Sequence, residues 1–367
     1  MNGPDDGDSP GRDSLAAQRR TRRLPWPARR VLELLALALV VEYLLLPQLA
    51  GTRKWLHLLL GVDRGWLALA LAAELASLLA FALSTRALLP RGGVQPRLHQ
   101  LVRIDLATIA LSHAVPGGAA AGTALGYRLL TSAGVSTDAA GFAKFGQGVV
   151  SALVLQLLLW SALAIAIPLH GSSPLYLTTT AVGAVLLIAV IGFVVTVLRG
   201  ETRVTRWAAA ITARVPGLTP DTGRRITART AGHLRAVAAS PGRFAATAGW
   251  SAANWLFDAA ALWCGVRAFG HTLGYDGLLV PFGLANVAAW IPITPSGLGV
   301  VEGVVVPFLV GFGVPRGVAI LGTITWRLVN FWLPIPLGAA AYLTLGRVTA
   351  RGDDRAPHRG RAPSRGG

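Results

Sequence analysis

Ile291-Pro292-Ile293-Thr294-Pro295-Ser296-Gly297-Leu298-Gly299 interrupts an apolar region that runs from Gly277 to Phe312. As one straight helix that region would extend about 54 Å at 1.5 Å per residue, against a hydrocarbon core of about 30 Å. Neither half is long enough to cross alone. Pro292, Pro295, Gly297 and Gly299 crowd into a short interval and deny it a continuous helical hydrogen-bond ladder. The geometry that satisfies both constraints is a hairpin that enters and leaves on one side of the membrane. Its irregular tip must then be buried in protein or line a polar cavity.

Working outward, region 104–133 has the same design, with Pro116-Gly117-Gly118 at its centre. Pro116 and Gly118 map onto Pro295 and Gly297, and Gly134-Val135 onto Gly313-Val314, at one common spacing. Matched, Gly/Pro-interrupted segments in two halves are the sequence mark of inverted-repeat transporters and point to their binding site. Six other segments have the length and apolarity of a span: 31–50, 66–89, 145–168, 175–198, 243–268 and 318–346. The expected fold is all-α, a polytopic membrane helix bundle of six spans plus two re-entrant hairpins related as an inverted repeat.

Composition agrees. The 367 residues are 53% hydrophobic and 14% charged, where a soluble domain carries about a quarter charged. Net charge is +17, and of the basic residues only Lys54 and Lys144 are lysines. The arginines sit at the edges of apolar runs, as the positive-inside bias produces, and not on a folded basic domain. Nucleic acid is therefore excluded as a partner. Cys264, the only cysteine, rules out an intramolecular disulfide and a cysteine-based zinc site. The run from Val31 to Ala50 is longer than a signal-peptide core and reads as a retained anchor, with Glu33 arguing against an export signal.

Charge also orients the spans. Placing the tail 1–30 inside puts 90–103, 199–243 and the Arg-rich tail 347–367 in the cytoplasm, and leaves His170-Gly171-Ser172-Ser173-Pro174 outside. The stretch from Arg53-Lys54 to Arg64 is the one mildly basic loop placed outside. The expected organisation is a polar cytoplasmic tail over 1–30, a transmembrane domain over 31–346 and a second cytoplasmic tail over 347–367, in the cell membrane. Within loop 199–242, Val204, Trp207, Ile211 and Val215 share a face apart from the arginines. That pattern suits an interfacial amphipathic helix, or else a recruiter of anionic lipid.

Charges inside spans are costly, at least about 2.5–3.5 kcal/mol each on insertion scales, and so tend to be paired and functional. Glu302 follows Gly299 in the return arm of the second hairpin, and Arg327 lies in mid-span. Both are read as lining a polar cavity. Arg128 and His113 flank the first tip. His113 is read as a packing residue, and Asp258 as either a structural interhelical partner or a site residue. Glu33, Glu42 and Glu74 are assigned to helix neighbours or the interface. At the breaks formed by Pro116, Gly117, Gly118 and by Pro295, Gly297, Gly299, backbone N–H groups freed on the non-proline residues would favour a phosphate. The competing reading of these glycines is close helix packing. Enzyme and nucleotide motifs are absent, so no catalytic residue, metal or cofactor is expected, and transport would run without ATP.

The stretch Pro292 to Glu302, then Phe312-Gly313-Val314, Arg327 and Gly338, resembles the flippase-like transmembrane region of lysylphosphatidylglycerol synthases, including its stand-alone UPF0104-type members. Val115-Pro116-Gly117-Gly118 to Gly134-Val135 is similar to the family's earlier motif. The resemblance covers roughly 30–346 and implies lipid translocation between leaflets by inverted halves with two re-entrant helices. Three departures stand out. Ser296 replaces the first glycine of the usual pair. Lys144-Phe145-Gly146-Gln147 replaces an acidic-basic element. The resemblance does not extend to the soluble aminoacyl-transferase domain of the two-domain enzymes, so lysyl transfer is not expected of this chain. The expected function is therefore flipping of a phospholipid or lipid-linked head group held by Arg327, Arg128 and the hairpin tips. Its alternatives are a non-transporting subunit for a separate synthase, or a polyprenyl-phosphate-dependent transferase. Membrane lipids, with anionic head groups foremost, are the expected partners. A synthase partner and a homo-oligomer are both compatible with the sequence.

Overall fold

The computed structural model describes residues 61–115, 118–170, 240–289 and 295–353, with isolated positions at 181, 184, 188 and 192. The expected span 31–50, nearly all of 175–198, the amphipathic helix at 199–217, the tail 1–30, most of the tail 347–367, and Pro116 and Gly117 lie outside the described residues.

All regular structure among the described residues is helical. It comprises α1 (Arg64–Leu88), α2 (Leu98–Ala114), α3 (Gly118–Ser132), α4 (Thr137–His170), α5 (Pro241–Arg267), α6 (Tyr275–Ala288), a 3-10 turn (Pro295–Gly297), α7 (Val300–Gly311), α8 (Arg316–Arg327), a π turn (Leu328–Trp332) and α9 (Pro334–Asp353). Three stretches, Arg64–Leu88, Thr137–Ile165 and Arg316–Leu345, are long and apolar enough to cross a membrane. Helix α5 has 27 residues, but Asn254 and Asp258 make it less apolar. On α1, Leu71, Leu75 and Leu79 recur every four residues and are 39–48% exposed, while Glu74, Ser77 and Leu78 are buried. Apolar side chains outward and polar ones inward is the pattern that lipid surroundings require.

Both interrupted regions fold back on themselves. Helices α2 and α3 run antiparallel so closely that a Cβ on Gly118 would strike the Ser112 backbone, and one on Gly122 the Thr108 carbonyl. A Cβ on Gly126 would come within 2.8 Å of Thr108 and Lys144. Helices α6 and α7 pair likewise, with Gly277 against Phe312 at one end and Gly297 against Ala289 at the other. The second hairpin's turn rests on the first hairpin, where the Ser296 hydroxyl donates to the Ser112 carbonyl at 3.0 Å.

The return arms end alike. Gly134 (φ 90°) and Gly313 (φ 88°) take the left-handed conformation that glycine accepts without steric cost. Gly134 N–H donates to Thr131 O and Val135 N–H to Leu130 O; Gly313 N–H donates to Val310 O and Val314 N–H to Leu309 O. The spacing that relates Gly134 to Gly313 also relates the ends of α1 and α5 (Leu88, Arg267), the ends of α3 and α7 (Ser132, Gly311) and the starts of α4 and α8 (Thr137, Arg316). Packing is reciprocal too. Helix α1 packs on α5, α2 packs on α9, and α6 packs on α4. Gly338 of α9 lies against the Leu106 carbonyl and Ala110, and Gly283 of α6 against Leu159.

The last span was expected as one helix over 318–346. It is instead broken by the π turn, and Leu333 N–H reaches back to Leu328 O. Pro334 and Pro336 have no N–H to offer the carbonyls four residues earlier, and their rings crowd those carbonyls, so the chain widens locally.

Candidate functional site

A cavity of about 350 Å³ opens where the two hairpins meet α1, α5 and α8. Taking about 30 Å³ per water, it has room for roughly ten, more than a single small ion needs. Its polar wall comes from Glu74 and Ser77 (α1), His113 (α2), Asn254 and Asp258 (α5), Asn286 (α6), Ser296, Arg327 and Asn330. Gly118, Phe81, Trp255 and Ala289 complete much of the rest.

Arg327 is 4% exposed and held from two sides. Its Nε donates to Glu302 Oε1 at 2.5 Å, and its guanidinium lies 4.5 Å from the centre of the Phe331 ring. The other Glu302 oxygen accepts the Gly299 N–H at 2.6 Å, at the start of α7. One carboxylate thus caps a hairpin arm and orients a buried cation on another helix. Arg327 Nη2 has no hydrogen-bond partner among the described residues. A buried guanidinium with a spare donor on a cavity wall suits an oxygen anion.

The π turn arranges what surrounds it. Asn330 Nδ2 donates to Asp258 Oδ1 at 2.9 Å, and Trp326 Nε1 donates to the same oxygen at 2.6 Å. His113 stacks on Phe331 with ring centres 4.8 Å apart, and its Nδ1–H donates to the Phe331 carbonyl at 3.1 Å. Asn254 Nδ2 donates to Ser77 Oγ at 2.7 Å, tying α5 to α1. Glu74, only 2% exposed, stands beside Asp258 with the two carboxyl groups in hydrogen-bonding contact.

The family model for the lysylphosphatidylglycerol synthase transmembrane region matches residues 32–338. The chain belongs to that family. Among curated proteins it is similar to a UPF0104 membrane protein of Methanothermobacter thermautotrophicus, 31% identical over 87 residues, which is 24% of this chain and 26% of that protein. It is also similar to the inner membrane protein YbhN of Escherichia coli, 27% identical over 95 residues, covering 26% of this chain and 29% of YbhN. The chain thus matches little more than a quarter of the length of these curated relatives. It is a membrane protein of the lysylphosphatidylglycerol synthase transmembrane-region family, built of apolar helices.

Of the site residues read from the sequence, the structure brings Glu302 and Arg327 together and sets Gly118 in the cavity wall. Gly297 and Gly299 sit in the turn of the second hairpin, with φ of 72° and 82°. Pro295 begins the 3-10 turn. Arg128 is exposed on α3 and lines no part of the cavity, because the inward edge of that helix is Gly118, Gly122, Gly126 and Leu130 at a spacing of four. Ser296 takes φ 42° and offsets some of the strain through its bond to Ser112. Glu74 was assigned to helix contacts or the interface, yet it lines the cavity. Its position near the middle of a 25-residue apolar helix was the available signal. Lys144 and Asp105 form a buried ion pair, with Asp105 Oδ2 accepting from Thr85 at 3.0 Å and Gln147 Nε2 donating to Ser84 Oγ at 2.8 Å. None of these lines the cavity; they join α1, α2 and α4.

Proposed function

We propose that this protein moves a phospholipid or lipid-linked head group between the leaflets of the cell membrane, without ATP. In this reading α2–α3 and α6–α7 are re-entrant hairpins of an inverted repeat, and six spans carry them with both chain termini in the cytoplasm. The recurrent helix ends, the twin glycine caps and the exchanged packing of α2 on α9 and α6 on α4 support a two-fold relation between halves. Head groups would pass through the cavity where the two hairpin tips touch.

The observation that carries the reading is Arg327. It lines the cavity, is buried and fixed by Glu302 through Nε, and its Nη2 has no hydrogen-bond partner among the described residues. A phosphate oxygen is the complement that geometry lacks. Losing a charge-assisted hydrogen bond of about 1.5–3 kcal/mol corresponds to a roughly ten- to hundred-fold change in rate.

The test is reconstitution of the purified chain into vesicles holding fluorescent phosphatidylglycerol, with a membrane-impermeant quencher added outside. Wild type is expected to expose inner-leaflet lipid, and Arg327→Lys to do so at least ten-fold more slowly at equal insertion. Equal rates for the two would refute the role of Arg327. No redistribution by wild type would favour a non-transporting subunit instead.

A further inference from the structure

We infer that Glu74 and Asp258 form a proton-binding pair, and that a proton travels with the head group in the same direction. This rests on the translocation reading above and names its driving ion.

Glu74 sits on α1 and Asp258 on α5, the two helices that pack on each other, and both line the cavity. They are 2% and 3% exposed. Asp258 Oδ1 is occupied by Trp326 and Asn330, and the two carboxyl groups touch. Glu74 Oε2 makes no hydrogen bond among the described residues. Two ionised carboxylates offer each other no hydrogen, so the contact is a repulsion unless one proton lies between them. With that proton the contact becomes a hydrogen bond and the pair carries a single negative charge. Without it, two negative charges face the same cavity.

The surroundings decide how the proton couples to cargo. Facing the pair are Arg327 and Asn330 at the π turn, His113 on α2 and, behind Arg327, Glu302 on α7; Asp105 on α2 and Lys144 on α4 pair with each other beside Thr85 of α1. Among the described residues, Arg327 is the one cation on the cavity wall that acts on Asp258. An empty cavity lets Arg327 balance the extra negative charge that proton release creates. A phosphodiester on Arg327 takes that balance away, so head-group binding and proton binding favour each other. By linkage the preference is mutual. When the proton leaves, the O–H bond between the carboxyls breaks, water in the cavity accepts the proton, and the electron pair stays on the carboxylate. One phosphodiester charge with one proton makes the moving unit electrically neutral.

The experiment uses the full chain in phosphatidylcholine vesicles doped with acyl-labelled phosphatidylglycerol, with a pH dye inside. A pH difference of one unit should bias the leaflet distribution of wild type up to ten-fold toward the side to which protons run, for one proton per lipid. A potassium diffusion potential at equal pH should leave the distribution unchanged. Glu74→Gln and Asp258→Asn should each lose the pH-driven bias and the accompanying proton flux. Redistribution that ignores the pH difference, or follows the electrical potential, overturns the coupling while the translocation reading stands. Bias retained in both variants overturns the assignment to this pair. No redistribution by wild type at all overturns both. Should the variants fail to insert, infrared difference spectra of wild type decide: the carbonyl stretch of a protonated carboxyl group should fade over the same pH range as the bias, and its absence would overturn the proposal.

Discussion

Glu302 serves two elements at once, and its removal should cost accordingly. Its Oε1 holds Arg327 Nε at 2.5 Å and its Oε2 holds the Gly299 N–H at 2.6 Å. Both residues of the pair are nearly inaccessible, at 8% and 4% exposure, so solvent screens little of the charge. Glu302→Gln leaves an acceptor for Gly299 but strands the guanidinium, at about 3–5 kcal/mol. Glu302→Ala also uncaps α7, adding about 1 kcal/mol. Arg327→Met strands the carboxylate instead, again at about 3–5 kcal/mol. The double variant Glu302→Gln, Arg327→Met leaves no charge buried, so it should cost far less than the sum of the singles. The coupling energy should exceed about 2 kcal/mol, where independent sites agree to within about 0.5 kcal/mol. Unfolding in mixed micelles with rising dodecyl sulfate, followed by tryptophan fluorescence, measures all four proteins, with Trp326 adjoining the pair. Additive single and double effects would refute the claim that the ion pair is the latch between the second hairpin and the last span.

Gly338→Val should destabilise by about 1–3 kcal/mol, because its side chain would be driven into the Leu106 carbonyl and Ala110, whereas Gly92→Ala meets open space and should be silent in the same unfolding titration. Gly134→Ala and Gly313→Ala should each cost about 1–2 kcal/mol from the left-handed backbone alone, and the two costs should agree closely, since neither site meets steric opposition that the backbone does not already impose.

Much of the hairpin geometry was legible because proline and glycine act locally. The breaks at Pro116-Gly117-Gly118 and Pro292 to Gly299 follow from lost donors and from backbone angles, whatever surrounds them. Membrane-crossing helices at 66–89 and 145–168 were legible from length and apolarity, though α4 begins earlier, at Thr137; the segment 243–268 forms a helix, α5, that is less apolar, and α2 begins at Leu98. Pairing across the fold was harder to read. Glu74 and Asp258 meet because α1 and α5 pack, a contact between distant parts of the chain that leaves no periodic trace in either helix. Asp105 and Lys144 escaped for the same reason. Arg128 lies off the cavity because nearness to the hairpin tip in sequence says nothing of which way α3 is turned, and the glycine stripe decides that. The π turn needed two facts together: prolines at 334 and 336, and an inward face that wants Asn330 and Phe331.

The exchange of partners between α2 and α9, and between α6 and α4, bears on biogenesis. Helix α2 emerges from the ribosome more than two hundred residues before the helix it leans on, so the first hairpin must wait, half-clasped, in the membrane. An N-terminal fragment ending before α5 would lack the surfaces that close its own hairpin. A second such fragment could supply them only by donating its equivalent helix in return. On the inverted-repeat reading proposed above, two interlocked copies of one unit would satisfy that requirement.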